Sequence, residues 1–138
     1  ILRATWQAVA RMYNEEAAKY SATMATGFAL LSIDRENGSP STTLGPKMGM
    51  EATSLTRTLK SMEERGLITR KKNPTDGRGV IIQLTKEGKE KRELSKETVL
   101  RFNETVKQHI SEEKLQHFME VAEIINELIT DKKIYNDK

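Results

Sequence analysis

Thr53, Ser54, Thr56 and Thr58 place four hydroxyls in six consecutive positions, and Arg57 and Lys60 follow on the same side of the helix that this stretch predicts. Each such β-branched or hydroxyl residue costs a helix roughly 0.3–0.7 kcal/mol relative to Ala, so their density asks for a reason. Short hydroxyls at a helix N-terminus fit against phosphates and base edges, where free N–H groups and the helix dipole favour anions. Plain N-terminal capping by Ser and Thr explains them equally well. Arg57 has the planar fork that grips O6 and N7 of guanine in a major groove; the alternative is a solvated charge.

Residues 67–85, LITRKKNPTDGRGVIIQLT, set two β-type runs on either side of a polar, glycine-bearing tip, which predicts a basic β-hairpin. Arg70, Lys71, Lys72 and Arg78 gather there around one acid, Asp76. Like charges so close repel unless phosphates neutralise them. Arg78 at the tip suits a narrow minor groove, and Asp76 suits holding an arginine in position rather than touching phosphate. For Arg70 to Lys72, an edge strand protected by charge is the competing explanation. The formal charge of +3 is uneven: residues 1–40 are neutral, 41–86 carry +5 and 87–138 carry −2. That localised excess is the footprint of a polyanion binder. A hydroxyl- and cation-bearing helix followed by a basic hairpin predicts a winged helix-turn-helix whose partner is double-stranded DNA.

Other chemistries find little support. The chain has no cysteine, which excludes disulfides, thiolate metal sites and thiol redox sensing. His109 and His117 are eight residues apart across an expected helix break, so no metal pair is expected. Neither Gly77-Arg78-Gly79 nor Gly45 to Gly49 has the spacing of a phosphate or dinucleotide loop. No nucleophile has a base beside it, so neither catalysis nor a cofactor is expected. Trp6, Tyr13, Tyr20, Met24 and Phe28 can line an aromatic ligand pocket between the first helix and the winged segment; an aromatic stripe at helical spacing also serves as core or dimer contact.

These side chains need a frame. Leu2, Trp6, Val9, Tyr13, Ala17 and Tyr20 recur at helical spacing over residues 1–20, and Phe28, Leu30, Leu31 and Ile33 predict a buried second helix ending in a turn. Ser41, Thr42 or Thr43 is expected to cap a short third helix beginning near Leu44, with Pro46 in its first turn. Gly49 turns the chain into the fourth helix, whose apolar side is Ala52, Leu55, Leu59 and Met62 and which Gly66 ends. Thr85 can cap a long charged helix and Ser111 a last one, with Leu115, Phe118, Met119, Ala122, Ile125 and Leu128 in its stripe. The expected fold is mainly α with a small β-hairpin wing: one domain over 1–138, the winged helix spanning about 24–86, and helices of about 1–20 and 87–131 whose apolar stripes call for a second subunit. No apolar run approaches the ~18 residues of a membrane span. The chain opens at Ile1 rather than Met, which leaves room for residues upstream, and a cytoplasmic location is expected.

The sequence resembles the MarR family, the multiple antibiotic resistance regulators, along nearly its whole length. Asp76-Gly-Arg78, then Leu84-Thr85 and Gly88, look like that family's D-x-R wing signature running into L-T-x-x-G. GMEATSLTRTLKSMEERGLI is similar to its recognition helix and the strand entry after it. The resemblance implies a homodimeric transcription regulator, a repressor rather than an activator, with intertwined terminal helices and two winged helices on adjacent major grooves of a pseudo-palindromic operator. It implies that Thr53, Ser54, Thr56, Arg57 and Lys60 face the groove, that Arg78 is the wing-tip arginine with Asp76 as companion, and that a small aromatic or phenolic effector releases the DNA. Gly45-Pro46 departs from the usual Ala-rich helix. The rival expectation is a winged helix whose basic wing meets an acidic protein.

Overall fold

The computed structural model describes residues 1–75, 77 and 79–135. Along them run α1 (Leu2–Ala18), α2 (Met24–Ser32), β1 (Ser39–Pro40), α3 (Ser41–Met48), α4 (Ala52–Glu64), β2 (Ile68–Lys72), β3 (Val80–Leu84), α5 (Lys86–His109) and α6 (Glu112–Thr130). Contacts group the chain into two units, Ile1–Val99 and Leu100–Lys138.

In the first unit, apolar side chains of α2 (Ala29, Leu30, Ile33), α3 (Leu44) and α4 (Leu55, Leu59, Met62) close over the sheet residues Ile68, Ile82 and Leu84 and over Leu67. The sheet is antiparallel in the order β1-β3-β2, with Ile68 opposite Leu84, Arg70 opposite Ile82 and Lys72 opposite Val80. The hairpin was legible, but its third strand was not: Ser39 and Pro40 pair with Ile82 and Ile81. Proline is tolerated on such an edge because the strand there has no further partner to receive an N–H.

The third helix departs from expectation. It starts at Ser41 directly after β1, and no side chain caps it; Thr43 Oγ1 instead donates to Pro40 O at 2.8 Å. Pro46 therefore falls in the body of the helix rather than its first turn, and Thr42 O loses the N–H that would have come from residue 46. Thr42 is an exposed residue, so the position of the missing bond is at the surface of the helix. Gly45 has no Cβ to meet the proline ring. Ala52, expected on the apolar side of α4, is also exposed, which leaves Leu55, Leu59 and Met62 as its buried face.

The end of α4 and the start of α5 meet. Gly66 N–H reaches Glu63 O at 3.0 Å and Leu67 N–H reaches Met62 O at 2.9 Å, the paired bonds that close a helix into a strand. Thr85 Oγ1 accepts from Gly88 N–H at 3.0 Å, capping α5 as the sequence indicates, and donates to Gly66 O at 2.6 Å. In the second unit Ser111 Oγ accepts from Lys114 N–H at 3.3 Å and caps α6. None of the apolar stripe of α6 is buried: Phe118 is 63% and Met119 55% exposed, and Val121, Ile124 and Ile129 add to it.

A Cβ on Gly88 would stand 2.0 Å from Leu67 O, whereas one on Gly77 would meet nothing within 4 Å. Gly88→Ala is expected to cost about 3 kcal/mol, at the upper end for overpacking because backbone is the obstacle. Gly77→Ala should stay within about 0.5 kcal/mol of the parent. Urea unfolding of both variants measures the difference, and equal midpoints would refute it.

Candidate nucleic-acid interface

The turn between α3 and α4 is made by Gly49 at φ 66°, a conformation that side chains rarely adopt. Gly49 N–H and Met50 N–H close α3 on Pro46 O and Gly45 O at 3.4 and 3.0 Å. The chain then enters α4 with Glu51 at the N-cap and no side-chain bond to the first turn. That removes the capping explanation for Thr53 and Ser54, which lie inside the helix. It also leaves the first N–H groups of α4 without intrahelical partners.

Burial of Leu55, Leu59 and Met62 fixes the rotation of α4 about its axis. Thr53, Ser54, Thr56, Arg57 and Lys60 are all exposed, and Thr58 is half-buried beside the core face. Spacings of four and three put Thr53, Arg57 and Lys60 in one line along the exposed side. Thr56 Oγ1 donates back to Ala52 O at 2.8 Å, which leaves the oxygen lone pairs as acceptors.

On β2 the strand alternation separates the cations. Arg70 and Lys72 share the row of Ile68, and Lys71, opposite Ile81, lies on the other face. Arg70 Nε sits 3.3 Å from Glu63 Oε2 on α4. Among the described residues, Lys71 and Lys72 make no ion pair. Asn73 organises the tip: its Oδ1 accepts from Thr75 N–H at 3.0 Å and Thr75 Oγ1 at 2.9 Å, and its own N–H reaches Gly79 O at 3.0 Å. Asp76 and Arg78, named above as wing-tip residues, lie outside the described residues. Lys47 on α3 is engaged within the fold, its Nζ donating to Ser32 O at 2.7 Å at the end of α2. The Asn73 and Pro74 of the tip are turn residues in keeping with the expected hairpin; nothing local in the sequence announces the Lys47 bond.

Tyr13, Tyr20, Met24 and Phe28 do come together, around a cavity of about 60 Å³ that Arg65 and Lys91 also line. One water needs roughly 10–15 Å³ on this scale, so a handful of atoms fits without rearrangement. Tyr13 meets Phe28 edge to face at 6.0 Å, and Lys91 Nζ lies 6.0 Å from the centre of the Tyr20 ring. Trp6 is not part of this lining and is 54% exposed on α1.

A helix-turn-helix whose second helix presents hydroxyls and cations, followed by a three-stranded sheet ending in a basic ribbon, defines a winged helix-turn-helix protein. Residues 22–80 match the sequence model of the MarR family. Over those 59 of its 138 residues the chain carries a MarR-family domain. In Bacillus subtilis (strain 168), the uncharacterized HTH-type transcriptional regulator YdgJ is 31% identical over 78 residues, 56% of this chain and 48% of that protein. The organic hydroperoxide resistance transcriptional regulator of the same organism is 44% identical over 45 residues, 33% of this chain and 31% of that protein. The chain thus spans half or less of the curated relatives it matches. Among solved structures, the transcriptional regulator SlyA superposes with a TM-score of 0.83 at 18% identity, covering 95% of this chain and 92% of that one. PcaV from Streptomyces coelicolor, solved with its natural ligand, gives 0.78 at 20% identity, covering 91% and 89%. Those identities speak for the fold alone.

Burial raises the Tyr13 phenol above its ordinary value of 10.0. The folded chain then holds a proton that the unfolded chain releases, so this group's contribution to stability is complete below pH 10 and is lost as pH climbs through the raised value. Tyr13→Phe should therefore lose less stability than the parent between about pH 9 and pH 11. Urea midpoints at the two pH values measure this, and an identical alkaline loss in both proteins would contradict it.

Proposed function

We propose that this chain is a transcriptional repressor that binds a pseudo-palindromic double-stranded DNA operator as a homodimer and is released by a small aromatic or phenolic anion. The exposed line Thr53–Arg57–Lys60 on α4 carries the proposal, because the rotation of that helix is fixed by Leu55, Leu59 and Met62 and its exposed side has no other partner among the described elements. Unpaired N–H groups at the start of α4, with the Thr53 and Ser54 hydroxyls, suit a phosphate. Arg57 suits a guanine edge, and the exposed Thr56 side chain suits a base edge or a thymine methyl. Lys60, Lys71 and Lys72 supply backbone contacts. Asp76 and Arg78 belong to the same proposal through the family resemblance alone.

Exposed apolar side chains on α1 (Leu2, Trp6) and α6 (Phe118, Met119, Ile124) support the homodimer, since a second subunit would remove them from water. The aromatic cavity supports the effector: Tyr13 and Phe28 offer ring edges and faces to a planar molecule, and the Arg65 and Lys91 cations suit a carboxylate or phenolate. PcaV, with its natural ligand, offers a precedent for a ligand-binding relative of this fold. Such a ligand must prefer the DNA-incompetent arrangement, because equal affinity for both states shifts nothing. Arg65 follows α4 directly, so a ligand touching it acts at the foot of the proposed recognition helix. No helix of the described residues is long and apolar enough to cross a membrane. A DNA-bound regulator of this kind works in the cytoplasm.

Selection of random duplexes on the purified protein, followed by anisotropy titration of the winner, should return an inverted repeat with half-sites about one helical turn apart. On that operator Arg57→Ala should lose about 1–3 kcal/mol of discrimination at one base position. Lys72→Ala should weaken all duplexes alike and lower the logarithmic salt slope by about 0.9. Binding blind to sequence would favour the acidic-protein reading of the basic wing instead. Sedimentation at micromolar concentration should give twice the 15.7 kDa chain mass; a monomer would end the two-subunit proposal.

A further inference from the structure

The contact between Glu63 and Arg70 joins the two parts that the proposed DNA reading requires to act together. Glu63 lies in the last turn of α4 and Arg70 in the middle of β2, with the Gly66–Leu67 turn between them. Strand register puts Arg70 in the row of Ile68 and opposite Ile82, which is fully buried, so its side chain leaves the sheet on the side of the core and of α4. It runs over the helix end, and its Nε stands 3.3 Å from the Glu63 carboxylate. Lys71 leaves from the opposite face, and neither it nor Lys72 has an ionic partner among the described residues. Among the described residues, then, Arg70 is held by an acid and Lys71 and Lys72 are in no ion pair.

We propose that Glu63 is a positioning residue and Arg70 its strut: the pair fixes the angle between the reading helix and the wing, and Arg70 is not itself a phosphate ligand. The proposal rests on the DNA-binding reading above. Both side chains remain 44% and 35% exposed, so water screens their attraction and the pair adds little to the stability of the fold. Its effect is directional. A helix in a groove and a wing on the adjoining backbone contact one rigid ligand, and each set of contacts forms fully only when their relative angle matches the duplex. Pairing also neutralises Glu63, which would otherwise present an anion to the phosphates from the reading helix itself.

The test compares the parent with Glu63→Ala, Arg70→Gln, the double variant, and the charge reversal E63R/R70E, titrated on the selected operator over a range of salt. Each single variant should weaken binding about two- to fivefold with the salt slope unchanged, as expected for a surface pair. The double variant should be no weaker than the worse single one, and the reversal should recover most of the loss. A fall in slope of about 0.9 for Arg70→Gln, with Glu63→Ala binding as well as the parent or better, would overturn the proposal and make Arg70 a phosphate ligand. In the free protein, the Arg70 Nε–H resonance, assigned by its absence from Arg70→Gln, should shift in Glu63→Ala; an unmoved resonance would also overturn it. That readout needs no DNA, so a parent protein without salt-dependent DNA binding would refute the regulator reading while the resonance still decides the brace.

Discussion

Four elements end or begin within a few residues of one another at Gly66–Leu67 and Thr85–Gly88, and the rest of the winged unit depends on how their backbone groups are satisfied there. A helix terminus and a strand terminus each leave polar groups that cannot be buried unpaired. Here they serve one another. Leu67 N–H closes α4, Leu67 O receives Thr85 N–H at 3.0 Å, and the Thr85 hydroxyl stands between Gly66 O and Gly88 N–H. The absence of a side chain at position 88 lets α5 begin against the Leu67 carbonyl. Around this knot Met62, Leu67, Ile68 and Leu84 complete the core, so α4 and the ribbon start from one shared anchor.

The aromatic cavity reaches that knot. Arg65, one residue before it, shares the lining with Lys91 of α5 and with rings from α1 and α2. A small molecule there touches the segment between α4 and β2 without crossing the core. On the proposed reading, this is how a ligand biases a helix it never contacts along its length: differential affinity for two positions of the turn is sufficient.

Where local patterning decides the structure, the sequence was readable. Leu55, Leu59 and Met62 at helical spacing, Gly66 beyond them, the hairpin and the caps at Thr85 and Ser111 all lie where patterning puts them. What escaped depends on contacts between distant segments. Ser39-Pro40 reads as a turn because two residues have no period; only the edge offered by β3 makes them a strand. Pro46 reads as a first-turn residue because the start of α3 is set by β1 rather than by a cap. Lys47 on Ser32 O and Arg70 on Glu63 join elements whose packing no linear spacing encodes. Trp6 shares a stripe with Tyr13, but seven residues of helix separate them by about 10 Å, and the cavity ends before that. Of the proposed site, the exposed positions of α4 were legible apart from Ala52; the engagement of individual cations was not.

On α4, the residues that hold the helix in place and the residues that face outward are interleaved along the chain yet share no work. Leu55, Leu59 and Met62 anchor, while Thr53, Arg57 and Lys60 contribute nothing to the core. Mutational drift on the outward positions is therefore nearly free of folding cost, and inheritance can conserve the scaffold while the message it reads is rewritten. On the proposed reading, a chain of this fold can change which surface it recognises one exposed residue at a time, without passing through an unfolded ancestor.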